Sequence, residues 1–260
     1  EDLAATTKRH PSRVRHRTAL DAHGKLLAMD IEIATDGGAY STLSSTVLSR
    51  ATLHSPGPYV CPNVRVRSRA WATNTVPYGA FRGFGAPQAI FAIERHMDEI
   101  AAVIGVDPVE LRRRNFLHDG DTTATEQVMR EPVILDQLLD RALAESGYHE
   151  KRTRFARENR TNPVKRGMGI AAFYHGAGLA EGFTREEFFA ACARYRAAKG
   201  EVVSLCRYEA PPNIFWDDQK YRGEAYPAYA WSIHVAQVAV DTVTYSAEVE
   251  DFWAVQEVGR

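Results

Sequence analysis

The order in which two hydrophobic periodicities follow one another leaves this chain few architectures. Period-two alternation comes first. Arg13, Arg15 and Arg17 alternate with Val14, His16 and Thr18. A turn signal follows at Asp21-Ala22-His23-Gly24, and Leu27, Met29, Ile31 and Ile33 then alternate with Asp30 and Glu32. This predicts a β-hairpin within residues 1–40. Val64 and Val66, alternating with Arg65, Arg67 and Arg69, predict another strand. Helical spacing then takes over. Ile90, Ile93, Met97, Ile100 and Ile104 lie three or four apart and are closed by Gly105. Asp107-Pro108-Val109-Glu110 places an N-cap, a proline at N1 and a glutamate at N3 of a second helix. Ile134, Leu135, Leu138, Leu139, Ala142 and Leu143 mark a third, stopped at Gly147, and Glu150–Arg160 reads as an exposed helix. Strands return at Val164–Tyr174, Glu201–Tyr208, Trp231–Val240 and Tyr245–Val249, with a capped helix between, from Thr184. Trp231–Val240 is almost continuously apolar and is predicted to be central. Strands, then helices, then strands imply an α+β fold with a mixed or antiparallel sheet and helices packed on it, not a βαβ repeat.

Composition removes several functions. The 260 residues carry a formal net charge of −1, which argues against a general nucleic-acid binder. The arginine row at 13–17 therefore reads as the solvated face of an edge strand. No apolar run is long enough to span a bilayer, and the N-terminus has no signal-peptide pattern. Cys61, Cys192 and Cys206 are widely spaced without a CxxC pair. That disfavours a disulfide scaffold, a zinc site or an iron–sulfur cluster held by this chain, and favours a reducing, cytoplasmic setting. The histidines form no HExxH, and neither GxSxG nor a P-loop occurs.

One loop stands out. Tyr78-Gly79-Ala80-Phe81-Arg82-Gly83-Phe84-Gly85-Ala86-Pro87-Gln88 sets an arginine and two phenylalanines among three glycines, directly ahead of a helix. Such a loop offers backbone amides, one cation and a flat ring to something anionic and planar. Gly83-x-Gly85 lacks the third glycine and the βαβ context of a dinucleotide fingerprint. Arg50 lies upstream, ahead of the strand that leads to the loop.

Residues 79–88 resemble the signature of the molybdenum-binding subunit of the xanthine dehydrogenase/aldehyde oxidase family. Lys8-Arg9-His10-Pro11, Asp36-Gly37-Gly38-Ala39-Tyr40, Glu110-Leu111-Arg112-Arg113-Arg114-Asn115 and Gly167-Met168-Gly169-Ile170 fall in that family's order, so the resemblance covers roughly Leu3 to Gly178. It implies a molybdenum–molybdopterin cofactor approached by Arg82, Gly83, Phe84 and Gly85, with Arg82 acting mainly through its amide. It implies substrate contacts from Phe84, against which a flat heterocycle packs, and from Arg50, at the position of an arginine that hydrogen-bonds a purine carbonyl. It further implies 2Fe-2S and FAD groups on partner subunits or domains, and a dimer of the whole assembly. Charge building on a ring during hydroxylation is what a fixed guanidinium stabilises.

Departures qualify the resemblance. A second substrate-stacking phenylalanine of some purine-oxidising members aligns near Ala172, beside Phe173. Gly83 stands where carbon-monoxide-oxidising relatives carry a copper-binding cysteine, which disfavours that branch. After Gly176-Ala177-Gly178 the sequence passes directly to a segment resembling one found further downstream in the family. Residues 1–178 and 180–260 are therefore predicted to be two pieces of one discontinuous cofactor domain. The Gly-x-Gly-Glu motif bearing the family's catalytic glutamate is absent, so no catalytic side chain is assigned and the chain alone is expected to be inactive. Aldehyde oxidase-type specificity and a scaffold module that has lost the cofactor are the rival readings.

Overall fold

In the computed structural model, residues 6–177 and 215–257 are described. Two sheets share one core. The first joins β1 (Ser12–Leu20), β2 (Leu26–Gly38) and β3 (Val64–Ala72) in the order β1-β2-β3, with β1 antiparallel and β3 parallel to the central β2. The second joins β4 (Val164–Ala177), β7 (Ala228–Asp241) and β8 (Ala247–Gln256), antiparallel throughout, and β5 (Trp216–Asp217) and β6 (Arg222–Gly223) form a small separate ribbon. The predicted α+β class and mixed pairing are found, and the apolar 231–240 run lies in the centre of its sheet. The predicted helix from Thr184 and strand at Glu201–Tyr208 lie outside the described residues.

Five helices accompany the sheets: α1 (Ser44–His54), α2 (Ala86–Ile104), α3 (Pro108–Asn115), α4 (Leu135–Ser146) and α5 (Tyr148–Glu158). Helix α2 buries Ala89, Ile93, Met97, Ile100 and Ala101 at helical spacing and ends on Gly105 in the left-handed region. Asp107 caps α3, its carboxylate accepting from the Val109 amide at 2.8 Å. Helix α5 is less exposed than its charge suggests, because Tyr148 and Phe155 both turn into the core. Helix α1 does not follow from the sequence reading. Its Ser/Thr-rich run hides the one signal available, Val47, Ala51 and His54 buried at spacings of four and three.

The signature stretch 110–115 is a clamp. Arg112, fully buried, donates to Glu94 from Nε at 2.8 Å and from Nη2 to the Glu94 carbonyl at 2.9 Å. Its Nη1 reaches Asp98 at 2.8 Å and the Pro108 carbonyl at 3.1 Å. Glu94 in turn accepts from the Tyr59 hydroxyl and from the Ala172 amide of β4. Burial alone would push the guanidinium pKa down, but the carboxylates of Glu94 and Asp98 more than offset it and hold it above the ordinary value. Asn115 donates to the Gly24 carbonyl and accepts from the Leu26 amide, both at 2.9 Å, which fixes the β1–β2 hairpin. Arg113 pairs with Asp136 and Asp140, tying α3 to α4.

Removing one member of a buried ion pair strands the other charge in the core. Glu94→Ala should therefore cost about 3–5 kcal/mol in urea unfolding, and Arg112→Ala a similar amount. Cutting an exposed pair such as Arg95–Glu99, by Glu99→Ala, should cost less than about 1 kcal/mol.

Candidate functional site

The loop before α2 is shaped by its glycines. Gly83 and Gly85 have φ of 88° and 99°, and Phe84 between them is also left-handed at 52°. A side chain on Gly85 would meet the Val47 carbonyl at 2.1 Å, and one on Gly83 the Pro87 ring at 2.4 Å. The loop can lie this close to α1 only with glycine at 85, and can turn this tightly against Pro87 only with glycine at 83. The amides of Phe84 and Ala86 are spent on the Phe81 and Gly83 carbonyls, at 2.8 and 3.0 Å. Among the described residues, the amides of Arg82, Gly83 and Gly85 have no hydrogen-bond partner. Three open donors at or just before a helix N-terminus suit anionic oxygens. They thus fit an oxygen-rich, negatively charged cofactor.

Arg9 braces the loop from outside. Its guanidinium donates to the Arg82 carbonyl at 2.6 Å, reaches Gln88 at 3.4 Å and lies 4.8 Å over the Phe81 ring. His10 hydrogen-bonds Ser44 at 2.9 Å, so the 8–11 motif joins the loop to the start of α1. Asp36 holds the neighbouring corner, accepting from Thr73, Thr75 and the Gly38 amide.

Arg50 projects from the last turn and a half of α1 and is half-buried. Its Nε donates to the Tyr226 hydroxyl at 3.1 Å and its Nη2 to the Gly176 carbonyl at 3.2 Å. Both acceptors are neutral. Among the described residues no carboxylate pairs with Arg50, and its Nη1 has no partner. A half-buried cation without a counter-charge is uncommon and points to an anionic or electron-rich ligand. The Tyr226 ring supports the guanidinium at 5.3 Å and lies so close to Gly176 that a side chain there would meet it at 2.2 Å.

Two histidines link Arg50 to the glycine loop. His54 is 1% exposed; its Nδ1–H donates to the Arg50 carbonyl at 2.7 Å and its Nε2 accepts from the Gly176 amide at 3.5 Å. Burial lowers its pKa to about 3, so the ring is neutral. His175 lies tilted against His54, with ring centroids 5.4 Å apart. Burial and then the Arg50 charge lower its pKa, while the backbone of Gly176 and Gly83 acts the other way. Arg50 and Gly83 are thus both neighbours of one imidazole.

Of the predicted residues, Arg50 and Gly83 both neighbour His175, and Arg82, the partly exposed Phe84 and Gly85 belong to the same loop as Gly83. Ala172 does not join them. It is fully buried and its amide bonds Glu94, while Phe173 meets His234 edge-on at 4.7 Å. The β4 residue beside Arg50 is His175, three positions later. Sequence reasoning does not single out His54, His175, Tyr226 or Arg9; for Arg9 the 8–11 motif is the available signal. Cys61 is buried, and burial raises its thiol pKa. Among the described residues no three metal-ligating side chains cluster, and no helix is long and apolar enough to cross a membrane.

Residues 1–116 match the molybdopterin cofactor-binding domain family. The chain is 37% identical over 182 residues to a probable xanthine dehydrogenase subunit of Bacillus subtilis, covering 70% of this chain and 24% of that protein. It is 40% identical over 142 residues to the nicotinate dehydrogenase large molybdopterin subunit of Eubacterium barkeri, covering 55% of this chain and 33% of the relative. In structure it superposes on the aldehyde oxidoreductase of Desulfovibrio gigas with a TM-score of 0.82 at 23% identity, over 98% of this chain and 38% of the other. The fold and the matched motifs are those of molybdopterin-binding domains. Over the matched region the chain is similar to the molybdenum-binding large subunits of the xanthine dehydrogenase/aldehyde oxidase family. It spans a quarter to a third of the length of these two curated relatives.

The buried His54 gives a pH signature. The unfolded imidazole takes up a proton below its ordinary 6.5, whereas the folded one does so only near 3. Its contribution to stability is therefore complete above pH 6.5 and lost as pH falls toward 3, by up to about 1.4 kcal/mol per pH unit. Chemical denaturation between about pH 7 and pH 4 should show this slope, and His54→Gln should flatten it. Gly85→Ala should destabilise the chain by at least about 1–3 kcal/mol, read by thermal melting.

Proposed function

We propose that this chain supplies one wall of the molybdenum site in a hydroxylase that oxidises a purine or related N-heterocycle, with water as the oxygen source. The observation that carries this reading is Arg50: half-buried, held by two neutral acceptors, without a carboxylate among the described residues, and sharing His175 as a neighbour with the glycine loop. The printed names of the two relatives, a xanthine and a nicotinate dehydrogenase, support a heterocyclic substrate.

The residues divide the work as follows. The open amides of Arg82, Gly83 and Gly85 would hold anionic oxygens of the cofactor, and Arg9 keeps the loop from shifting. The cofactor, when bound, supplies the redox chemistry. Phe84 packs against the flat ring and sets its angle. Arg50 offers Nη1 to a ring carbonyl and stabilises the negative charge that grows there as the adjacent carbon is oxidised. Neutral His54 grips the Arg50 backbone without adding a competing cation. The general base is not assigned to this chain. The 2Fe-2S and FAD groups that would take up the electrons would lie on partner subunits or domains. Residues 1–178 and 180–260 act as one cofactor domain, a reading supported by the residue-for-residue pairing of β4 with β7.

In the assembled enzyme, Arg50→Ala should lower kcat/KM for hypoxanthine by about a hundredfold or more while changing that for an aromatic aldehyde little. Equal losses on both substrates would exclude the purine role and favour an aldehyde-oxidising enzyme. A well-folded parent enzyme without molybdenum by metal analysis would exclude the catalytic reading altogether.

A further inference from the structure

The outer face of the β1-β2-β3 sheet repeats one motif across its three strands. Register places Arg17, Asp30 and Arg65 side by side in one row, and Arg15, Glu32 and Arg67 in the next. In each row a carboxylate of the central strand lies between two arginines of the edge strands. Asp30 shows what the arrangement does: its carboxylate accepts from Arg17 at 2.7 Å and from Arg65 at 2.9 Å, and Arg67 also reaches it. The hydrogen bonds from Arg65, with help from Arg67 and Arg17, hold the Asp30 carboxyl down to about 2. Glu32 pairs with Arg67.

The third row breaks the pattern. Register sets Arg13, Ala34 and Arg69 side by side, with alanine where the other rows carry their acid. Arg13 and Arg69 are exposed, and neither makes a hydrogen bond or ion pair among the described residues. Arg15, from the neighbouring row, is exposed and unpaired in the same sense. Trp71 stands one row further along β3 and is 54% exposed. A surface tryptophan beside unpaired arginines has the composition of an interface anchor.

We propose that this row docks a polypeptide partner that places an aspartate or glutamate side chain over Ala34, between Arg13 and Arg69, and covers Trp71 with an apolar residue. Charge complementarity names the occupant, because the sheet sets a carboxylate of its own within the same arginine frame in each of the two preceding rows, and in the Asp30 row that carboxylate binds both arginines. Guanidinium pairs bind a planar carboxylate through charge-assisted hydrogen bonds. The small side chain of Ala34 leaves the space that Asp30 and Glu32 fill in their rows. Trp71 selects a folded or aromatic-rich peptide surface over a free ion, which would leave the indole in water. The site is independent of the cofactor loop and uses none of its residues.

The test uses the full-length chain and a synthetic peptide carrying one glutamate between apolar residues, with a glutamine version as control. Resonances of the Ala34 methyl and the Trp71 indole N–H should shift with the glutamate peptide and not with the glutamine one. Arg13→Ala or Arg69→Ala should weaken binding roughly tenfold. Ala34→Asp should abolish it, because the sheet then supplies the missing carboxylate itself, while the folded spectrum is kept. Unshifted resonances, equal binding of the two peptides, or unchanged binding by the Ala34→Asp or arginine variants would each overturn the proposal. So would inorganic phosphate or a single-stranded oligonucleotide that moves the same resonances as strongly as the peptide.

Discussion

Glu94 and Arg112 hold the two halves of this molecule in register. The pair is buried at the meeting of α2, α3 and β4, and both side chains are fully engaged. One Glu94 oxygen takes the Tyr59 hydroxyl and the other takes both Arg112 and the Ala172 amide. A buried ion pair is worth little to stability compared with well-packed apolar residues, yet it punishes any misplacement because neither charge tolerates being left alone. That asymmetry makes it a device for fixing geometry. Here it fixes β4 relative to α2, and both carry the site: α2 begins at the glycine loop, and β4 ends at His175 and Gly176 beside Arg50.

The site is built from neutral groups around one cation. Tyr226, Gly176 and His54 hold Arg50 in place without neutralising it. Burial keeps His54 uncharged, and His175 is pushed the same way by burial and by Arg50 itself. The local field is therefore positive on the Arg50 side, and the open amides of the loop add partial positive charge on the other. An anionic or electron-rich ligand suits surroundings of that polarity.

Much of this is legible in the sequence because local signals agree with the fold. The hairpin, the Ile/Met face of α2, the Asp107 cap and the apolar central strand each follow from a periodicity or a turn that tertiary contacts do not override. What is not legible comes from contacts between distant segments. Helix α1 forms in a Ser/Thr-rich run because Val47, Ala51 and His54 find a buried face. The register of β4 places His175, not Ala172, at the site, and no local pattern announces which strand residue ends beside Arg50. Likewise, the arginine row of β1 reads correctly as a solvated edge, but only cross-strand register reveals that two of its rows carry an acid and the third does not.

We propose that the loop amides at Arg82, Gly83 and Gly85, which have no hydrogen-bond partner among the described residues, receive the cofactor. Hydrogen–deuterium exchange on the complete parent enzyme, compared with and without molybdopterin, tests it directly. Loading should slow exchange at these amides while leaving those of Phe84 and Ala86, already bonded within the loop, unchanged. Exchange at Arg82, Gly83 and Gly85 that is the same in both states would contradict the account.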